Sequence, residues 1–291
     1  MTRKRHFGDR NDGRKIRTLN PMTRIAIFIM KDRNDALNYI RDSIDTAQVD
    51  KYILKKRAEG LKGFGMMHVL IASYVRLVSQ LPGLNRFISG QTLYARNELV
   101  IALTIKKNME LNAQDTVVKE VFPLDATAED VYRKFNQLIE ANRGTEGQSD
   151  FDNLAKLLNY IPRLLLRFTV GLLKFLDYFG LLPKAITDLS PFHASYFITS
   201  MGSLGIPPIY HHLYNFGNVP VFFSFGARRS ELMIEKDGSI KQHWFMDYTF
   251  VLDERICDGH YYATGLKYLR EILKHPDVLD TPPEKIVEDI D

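Results

Sequence analysis

The sequence predicts a protein of the mixed α/β class, and three observations lead to this prediction. Short apolar runs rich in β-branched residues alternate with longer stretches in which apolar residues recur every three or four positions. Capping residues and turns containing glycine or proline separate these segments. With 291 residues, the chain can bury a full core as one large domain or two small ones.

The first half of the chain combines predicted strands, helices and one hairpin. Strands are predicted at residues 24–30, 37–44, 99–105 and 116–122. Helices are predicted from Thr46 to Gly60, over 66–81 and over 128–141, where Thr127 and Asp130 resemble a capping box. Ser89-Gly90-Gln91 between two apolar segments predicts the hairpin, because glycine supplies the backbone conformation that a tight turn needs.

The second half opens with an exposed loop at 142–150, which lacks apolar residues. Strands are then predicted from Tyr196, at 219–226 and at 242–252, with a hairpin around Asp237-Gly238. A closing helix is predicted over 259–274 and ends at His275-Pro276.

An apolar helical segment follows the exposed loop, at residues 152–183. Leucine and phenylalanine recur on one helical face from Leu154 to Leu182, while Pro162 should introduce a kink. Its charged residues disfavour a membrane span, which needs roughly 20 nearly uncharged residues. Three interpretations remain: helices packed on the core or on another subunit, a helix at a membrane surface, or a cover over a lipophilic channel.

The two ends of the chain are predicted to be flexible. Seven basic residues crowd the first seventeen positions, so we expect residues 1–20 to form a solvated tail, or less often an arm for anionic lipid or phosphate. No apolar segment follows them, and a secretory signal peptide is therefore not predicted. Residues 281–291 are expected to form an acidic, frayed tail. This leaves residues 21–280 as a single domain.

Composition restricts the partners. The formal net charge of +4 is too small to indicate nucleic acid by itself. The single cysteine, Cys257, excludes an intrachain disulfide framework and fits a reducing compartment, so we predict a cytoplasmic location. We expect Cys257 to pack as a small buried side chain. No spacing of histidines and carboxylates predicts a metal site.

The most informative motif spans residues 250–260, Phe-Val-Leu-Asp-Glu-Arg-Ile-Cys-Asp-Gly-His. It resembles the signature of the chloramphenicol acetyltransferase-like superfamily, which includes the catalytic domain of dihydrolipoyl acyltransferases. The family pattern is His-x-x-x-Asp-Gly at a strand end. Asp258 and Gly259 match this pattern, but Glu254 stands at the histidine position.

A second motif, residues 196–205, reads Tyr-Phe-Ile-Thr-Ser-Met-Gly-Ser-Leu-Gly. It resembles the family segment Phe-Thr-Ile-Ser-Asn-Leu-Gly-x-x-Gly. When the segments are aligned on Gly202 and Gly205, Thr199 falls where the family places a hydroxyl that stabilises an oxyanion. Ser200 and Gly202 are the coenzyme contacts that the resemblance implies.

The resemblance covers roughly residues 24–280 and implies a two-layer α/β sandwich, a mixed β-sheet covered by helices. The apolar helical insertion departs from the family pattern. The resemblance also implies acyl-coenzyme A as substrate, a small-molecule acceptor, no metal, and a homotrimer with active sites between subunits.

The catalytic base is the open question. The family histidine removes a proton from the acceptor, and imidazole suits this role because its pKa lies near working pH. Glu254 could act as base if burial raised its pKa, or it could organise the turn together with Asp258 or contact substrate. His211 and His212, in a loop expected near the acyl channel, are alternatives, although a vicinal histidine pair in an aromatic loop is more often hydrogen-bonded packing than catalytic.

Other candidates are weaker. His193 precedes the strand of Thr199, and His260 follows the first motif. In the family, the motif aspartate pairs with an arginine, and Arg24 occupies a plausible position for pairing with Asp258. The sequence thus supports two hypotheses, an acyl-coenzyme A-dependent acyltransferase with a non-standard base or a catalytically inactive homologue used for binding or assembly.

Overall fold

The computed structural model describes residues 6–106, 115–143 and 160–291. Its strands are β1 (Gly13–Lys15), β2 (Leu37–Asp45), β3 (Arg86–Ser89), β4 (Thr92–Arg96), β5 (Leu99–Lys106), β6 (Asp115–Phe122), β7 (Tyr196–Ser200), β8 (Val221–Ile234) and β9 (Ile240–Asp253). Its α-helices are α1 (Pro21–Ile29), α2 (Ala47–Ala58), α3 (Met66–Gln80), α4 (Ala128–Arg143), α5 (Arg163–Tyr178), α6 (Lys184–Leu189) and α7 (Gly259–Lys274).

A mixed sheet of six strands, in the order β2-β9-β8-β7-β5-β6, forms the centre of the molecule. The central strand β7 runs parallel to both β5 and β8, and the other pairs are antiparallel. A smaller sheet has the order β1-β4-β3. The predicted α/β class and the predicted mixed sheet covered by helices are thus confirmed.

Helix α3 packs on one face of the large sheet. Its residues from His68 to Ser79 are all buried, and the ring of Tyr74 stacks on Tyr196 of β7 at a centroid distance of 3.7 Å. Continuous burial explains why this helix is apolar around most of its circumference. The opposite face of the sheet holds a smaller apolar cluster that includes Phe222, Val251 and Leu213.

The prediction of a strand over 24–30 is wrong, because this segment belongs to α1. The Asn20 side chain accepts a hydrogen bond from the Met22 backbone N, and Pro21 occupies the first helical turn. Asparagine at the N-cap followed by proline is a helix-start signal that outweighs the β-branched composition. Ile27 is buried, while Ile25 and Phe28 are exposed.

The described parts of both expected tails, residues 6–20 and 281–291, pack against the domain instead. In the N-terminal segment, β1 pairs with β4, and Arg10 is buried. At the other end, the Val287 backbone N donates to the Ser79 carbonyl at 2.8 Å, and Asp289 forms an ion pair with Arg86. Main-chain pairing and buried ion pairs order these segments despite their charged composition.

The helical insertion is described only from residue 160 onwards, so the expected apolar positions at 154–158 lie outside the described residues. Pro162 is the N-cap of α5 and begins that helix. Proline fits there because the first helical N–H groups lack partners within the helix. In the described part of the chain, no helix is long and apolar enough to cross a membrane.

Candidate functional site

An apolar pocket of about 650 Å³ lies beside the C-terminal end of β7. Phe197, Thr199 and Ser200 contribute from the strand itself, and Phe222 contributes from β8. The loop that joins β7 to β8 supplies His211, His212, Leu213, Tyr214 and Phe216. Because strand neighbours point to opposite faces, Phe197 and Thr199 face the pocket while Ile198 packs into the core.

The loop is held in place by hydrogen bonds to the sheet. The Ile209 backbone N donates to the Ser224 hydroxyl at 3.2 Å, and the Thr249 hydroxyl donates to the Ile209 carbonyl at 2.6 Å. Pro208 packs on Gly226, where an added Cβ would lie 2.5 Å from the Pro208 ring. The loop position therefore depends on glycine at 226.

His211 is fixed by stacking and by one hydrogen bond. Its ring is parallel to Phe222, with 4.1 Å between centroids, and its Nδ1 lies 2.8 Å from the His212 carbonyl oxygen. A carbonyl oxygen only accepts, so the neutral ring carries its proton on Nδ1 and leaves the Nε2 lone pair available. Burial lowers the pKa of His211 below its ordinary value of 6.5, which favours this neutral form at neutral pH.

His212 is exposed, and its ring stacks on His211 at 4.7 Å. Thr199 is half-buried, and within the described ranges its hydroxyl makes no hydrogen bond to protein. The structure thus brings together four predicted site residues, Thr199, Ser200, His211 and His212, around one pocket.

Gly202 has a packing role. An added Cβ at this position would lie 2.8 Å from the Gly226 carbonyl oxygen, so the close approach of the two backbones requires glycine. Gly202 is not among the described residues that line the pocket. Its assignment as a coenzyme contact stays a prediction.

Glu254 lies away from this pocket. The register pairs Thr199 with Ser224 and Ser224 with Thr249, so these residues stand at the same level of the sheet. Glu254 follows Thr249 by five positions, which corresponds to roughly 16 Å along a strand. Its side chain is exposed, and its backbone N donates to the Ala36 carbonyl. This spacing places Glu254 well away from the Thr199 hydroxyl of the same chain.

Asp258 caps a helix. It is exposed, and its side chain accepts a hydrogen bond of 2.8 Å from the Tyr261 backbone N at the start of α7. The expected pairing of Asp258 with Arg24 is not observed, because the described residues contain no ion pair between them. The arginines of this turn pair with Asp253 instead. A carboxylate at this position also favours the helix N-terminus electrostatically.

The buried ion pairs of the turn belong to Asp253, which is not among the predicted site residues. Both Asp253 carboxylate oxygens accept from Arg255 at 2.8 Å, and Arg33 contributes a longer contact of 3.3 Å. Arg33 also donates to the carbonyls of Tyr214 and Gly217, so the network joins the turn to the pocket loop. The Asp-x-Arg spacing at the end of β9, where the strand turns, was the available signal.

The remaining candidates do not line this pocket. His193 is buried, with Nδ1 2.8 Å from the Ser190 hydroxyl, and burial lowers the pKa of its imidazole. His260 is exposed in the first turn of α7. Cys257 is buried as expected, and burial raises the pKa of its thiol to about 12. Within the ranges described, no group of three or more histidine, cysteine or acidic side chains could hold a metal ion.

Neither a protein-family model nor a curated protein matches this sequence. Solved structures do match, among them a probable dihydrolipoamide acetyltransferase from Listeria monocytogenes at 14% identity and a TM-score of 0.57, covering 90% of this chain and 95% of that one. A dihydrolipoamide acetyltransferase from Azotobacter vinelandii matches at 13% identity and a TM-score of 0.58, covering 90% and 93%.

A chloramphenicol acetyltransferase is also similar, at 12% identity and a TM-score of 0.56, over 90% of this chain and all of that chain. Identities this low establish the fold alone. The protein therefore has the chloramphenicol acetyltransferase-like fold that the two sequence motifs predicted.

Proposed function

We propose that this protein is a coenzyme A-dependent acyltransferase and that acyl transfer takes place in the pocket beside Thr199. One observation carries the proposal: a hydroxyl that has no hydrogen-bond partner among the described residues and an imidazole with an available lone pair line the same apolar pocket. The acyltransferases with the same fold support it. A small-molecule acceptor would carry the hydroxyl, amine or thiol that receives the acyl group.

In this proposal His211 is the general base. Its Nε2 takes the proton from the acceptor as the acceptor atom bonds to the thioester carbonyl carbon. The Thr199 hydroxyl donates to the oxyanion that forms on the carbonyl oxygen. The carbon–sulfur bond then breaks, and the departing thiolate recovers the proton from the imidazolium, which balances the reaction.

The lining favours an apolar acyl group. Leu103, Ile139, Phe197, Phe216 and Phe222 surround the pocket, and its volume is in the range that holds a ligand much larger than an acetyl group. Ser200 would contact the coenzyme at the pocket entrance, as would the backbone near Gly202.

A site between subunits is the alternative place for Glu254. Within one chain, Glu254 and Thr199 lie far apart along the sheet. A carboxylate base at the Thr199 pocket would therefore have to come from a neighbouring copy. A homotrimer would provide this arrangement, and Glu254 would then face the Thr199 pocket of its neighbour. In that case Asp258 would act by capping the helix that follows the turn.

One observation favours a catalytically inactive homologue as the second candidate. The motif position holds an exposed glutamate in place of histidine, and glutamate in water is a much weaker base than imidazole. The protein would then use the same pocket to bind an acyl group or a partner without turning it over.

Release of free coenzyme A thiol from a panel of acyl-coenzyme A thioesters tests the proposal. Wild type is compared with Glu254→Ala, His211→Gln and Thr199→Val, with hydroxyl, amine and thiol acceptors offered in turn. Turnover that Glu254→Ala preserves and His211→Gln abolishes would support the proposed base. The reverse pattern would move the base to Glu254 of a neighbouring copy.

If no thioester is consumed with any acceptor, the inactive homologue becomes the better explanation. Binding of a non-hydrolysable acyl-coenzyme A analogue by calorimetry then shows whether the pocket still takes the ligand. Glu254→His tests whether restoring the family residue restores turnover.

A further inference from the structure

Helix α5 presents an unusually apolar surface to solvent. Leu164 is 81% exposed, Phe168 67% and Phe175 56%. Large aromatic and aliphatic side chains are normally buried, and a contiguous exposed apolar patch marks an interaction surface. Within the part of the chain that the structure describes, no other element covers this surface.

The apolar side chains form a stripe. At about 100° per residue, Leu164, Phe168 and Phe175 fall within a narrow sector of the helix, and Leu172 lies beside them. The half-buried residues Leu166 and Leu173 point to a different side, toward the protein. We call the stripe formed by Leu164, Phe168, Leu172 and Phe175 the α5 apolar face.

Cations flank this face on one side. Arg163, Arg167 and Lys174 are exposed and fall within about 40° of one another around the helix. The one acidic residue of α5, Asp177, is buried and forms an ion pair with Arg10 at 2.8 Å. The solvent-facing part of α5 therefore carries positive charge and no negative charge.

The C-terminal end of α5 fixes how this face is presented. Arg10 donates to the Asp177 carbonyl and to the Ser89 hydroxyl, and the Tyr178 hydroxyl donates to the Gln91 side chain at 2.9 Å. The helix is thus tied to the β3–β4 hairpin while its apolar face stays open. Because the helix is already formed, docking would not incur the entropy cost of folding it.

We propose that α5 is a docking surface for anionic phospholipid membranes and lies in the membrane interface with its apolar face inserted. A helix with an apolar stripe flanked by arginine and lysine has the amphipathic pattern of interfacial helices. The flanking cations select the occupant, since each attracts lipid phosphates but would need an acidic counterpart on a protein surface. This inference is independent of the proposed enzymatic activity.

Co-sedimentation with vesicles tests the surface. We expect the full-length protein to bind phosphatidylcholine vesicles that contain phosphatidylglycerol, to bind pure phosphatidylcholine weakly, and to bind less as salt is raised. Phe168→Glu/Phe175→Glu should lower the bound fraction at least roughly tenfold, and Arg167→Glu/Lys174→Glu should act similarly. Leu232→Glu/Ile234→Glu, an equally exposed apolar pair on the β8–β9 hairpin, is the matched control and should bind like wild type.

A site-specific label shows whether α5 itself enters the bilayer. The native Cys257 is buried and has a raised thiol pKa, so a thiol-reactive environment-sensitive dye will label an introduced cysteine preferentially. A dye at Phe168→Cys should shift its emission to the blue when anionic vesicles are added. The same dye at Lys236→Cys, in the turn between β8 and β9, should not shift.

Two results would overturn the proposal. One is vesicle binding at the wild-type level by both α5 double variants, Phe168→Glu/Phe175→Glu and Arg167→Glu/Lys174→Glu. The other is that the wild-type protein does not bind vesicles and that Phe168→Glu/Phe175→Glu loses self-association in light scattering. This result would assign the α5 apolar face to a second copy of the chain. Thermal unfolding of each variant is the folding control. We expect it to be unchanged because the substituted side chains are exposed, and altered binding then does not arise from misfolding.

Discussion

The imidazole of His211 lies parallel to the ring of Phe222, with 5° between the two planes. Phe222 belongs to β8, whose position is set by its pairing with β7 and β9. The sheet therefore orients a loop histidine toward the pocket. Stacking also removes water from one side of the ring, and this desolvation lowers the pKa of His211.

If His211 is the base, acyl transfer depends on pH in a specific way. The neutral imidazole is the active form, so kcat/KM should rise with pH through a pKa below 6.5 and stay level above it. His211→Gln should lower kcat about 10²- to 10⁴-fold and remove this acidic limb. His260→Gln, an exposed histidine outside the pocket, is the control and should retain both rate and profile; an unchanged profile in His211→Gln would contradict the assignment.

The apolar pocket predicts a preference for longer acyl chains. Octanoyl-coenzyme A should be consumed with a higher kcat/KM than acetyl-coenzyme A, because each buried methylene contributes about 0.8 kcal/mol. Val117→Phe, from the pocket wall on β6, should shorten the accepted chain while acetyl transfer persists. Val121→Phe, on the exposed part of the same strand, should leave the chain-length series unchanged. Equal rates across the series in wild type would show that the pocket does not hold the acyl group.

Gly226→Ala should disturb the pocket from a distance. The added Cβ would lie 2.7 Å from the backbone N of Pro208, so the loop carrying His211 has to move. We expect kcat to fall roughly 10²-fold, the cost of misplacing a group by about 1 Å. Gly171→Ala in α5 is the matched substitution, since nothing lies within 4 Å of its added Cβ, and it should leave activity intact. Wild-type kinetics in Gly226→Ala would show that the rate of acyl transfer does not depend on the position of this loop.

Asp253→Asn should destabilise the fold. Asp253 is fully buried between Arg33 and Arg255, and removing its charge leaves two buried cations without their counter-ion. We expect the free energy of unfolding in urea to fall by about 3 kcal/mol or more. Asp277→Asn removes an exposed partner of Lys55 and should cost far less, because water already solvates and screens this pair. Equal losses for the two variants would mean that the buried network adds little.

The sequence predicts most elements of the fold because their patterns are local. Strand β2 and helix α7 follow periodicity and capping residues, and the structure places them as expected. At helix α1 the prediction of a strand is wrong, because the β-branched run resembles a strand although Asn20 and Pro21 mark a helix start. The local composition favours a strand there, whereas the capping residues favour a helix, and the segment is a helix.

The site was only partly predictable, because its geometry depends on strand register. The motifs named Thr199 and Glu254, but nothing local shows that Thr249 lies level with Thr199 while Glu254 lies beyond it. Likewise, the ion pair of Asp253 with Arg33 joins residues 220 positions apart in the chain. Long-range pairings of this kind are set by tertiary packing.

The edge position of β2 has a consequence for synthesis on the ribosome. Its partner β9 is far away in the sequence: Asp42 and Tyr248, which share a side-chain hydrogen bond, are 206 residues apart. A nascent chain therefore carries β2 without its ladder partner until nearly all of the protein has emerged. Unpaired strands invite association with other chains, and charges such as Arg41 and Asp42 discourage it. Strand β9, the last to be synthesised, thus supplies the ladder partner of β2, one of the earliest.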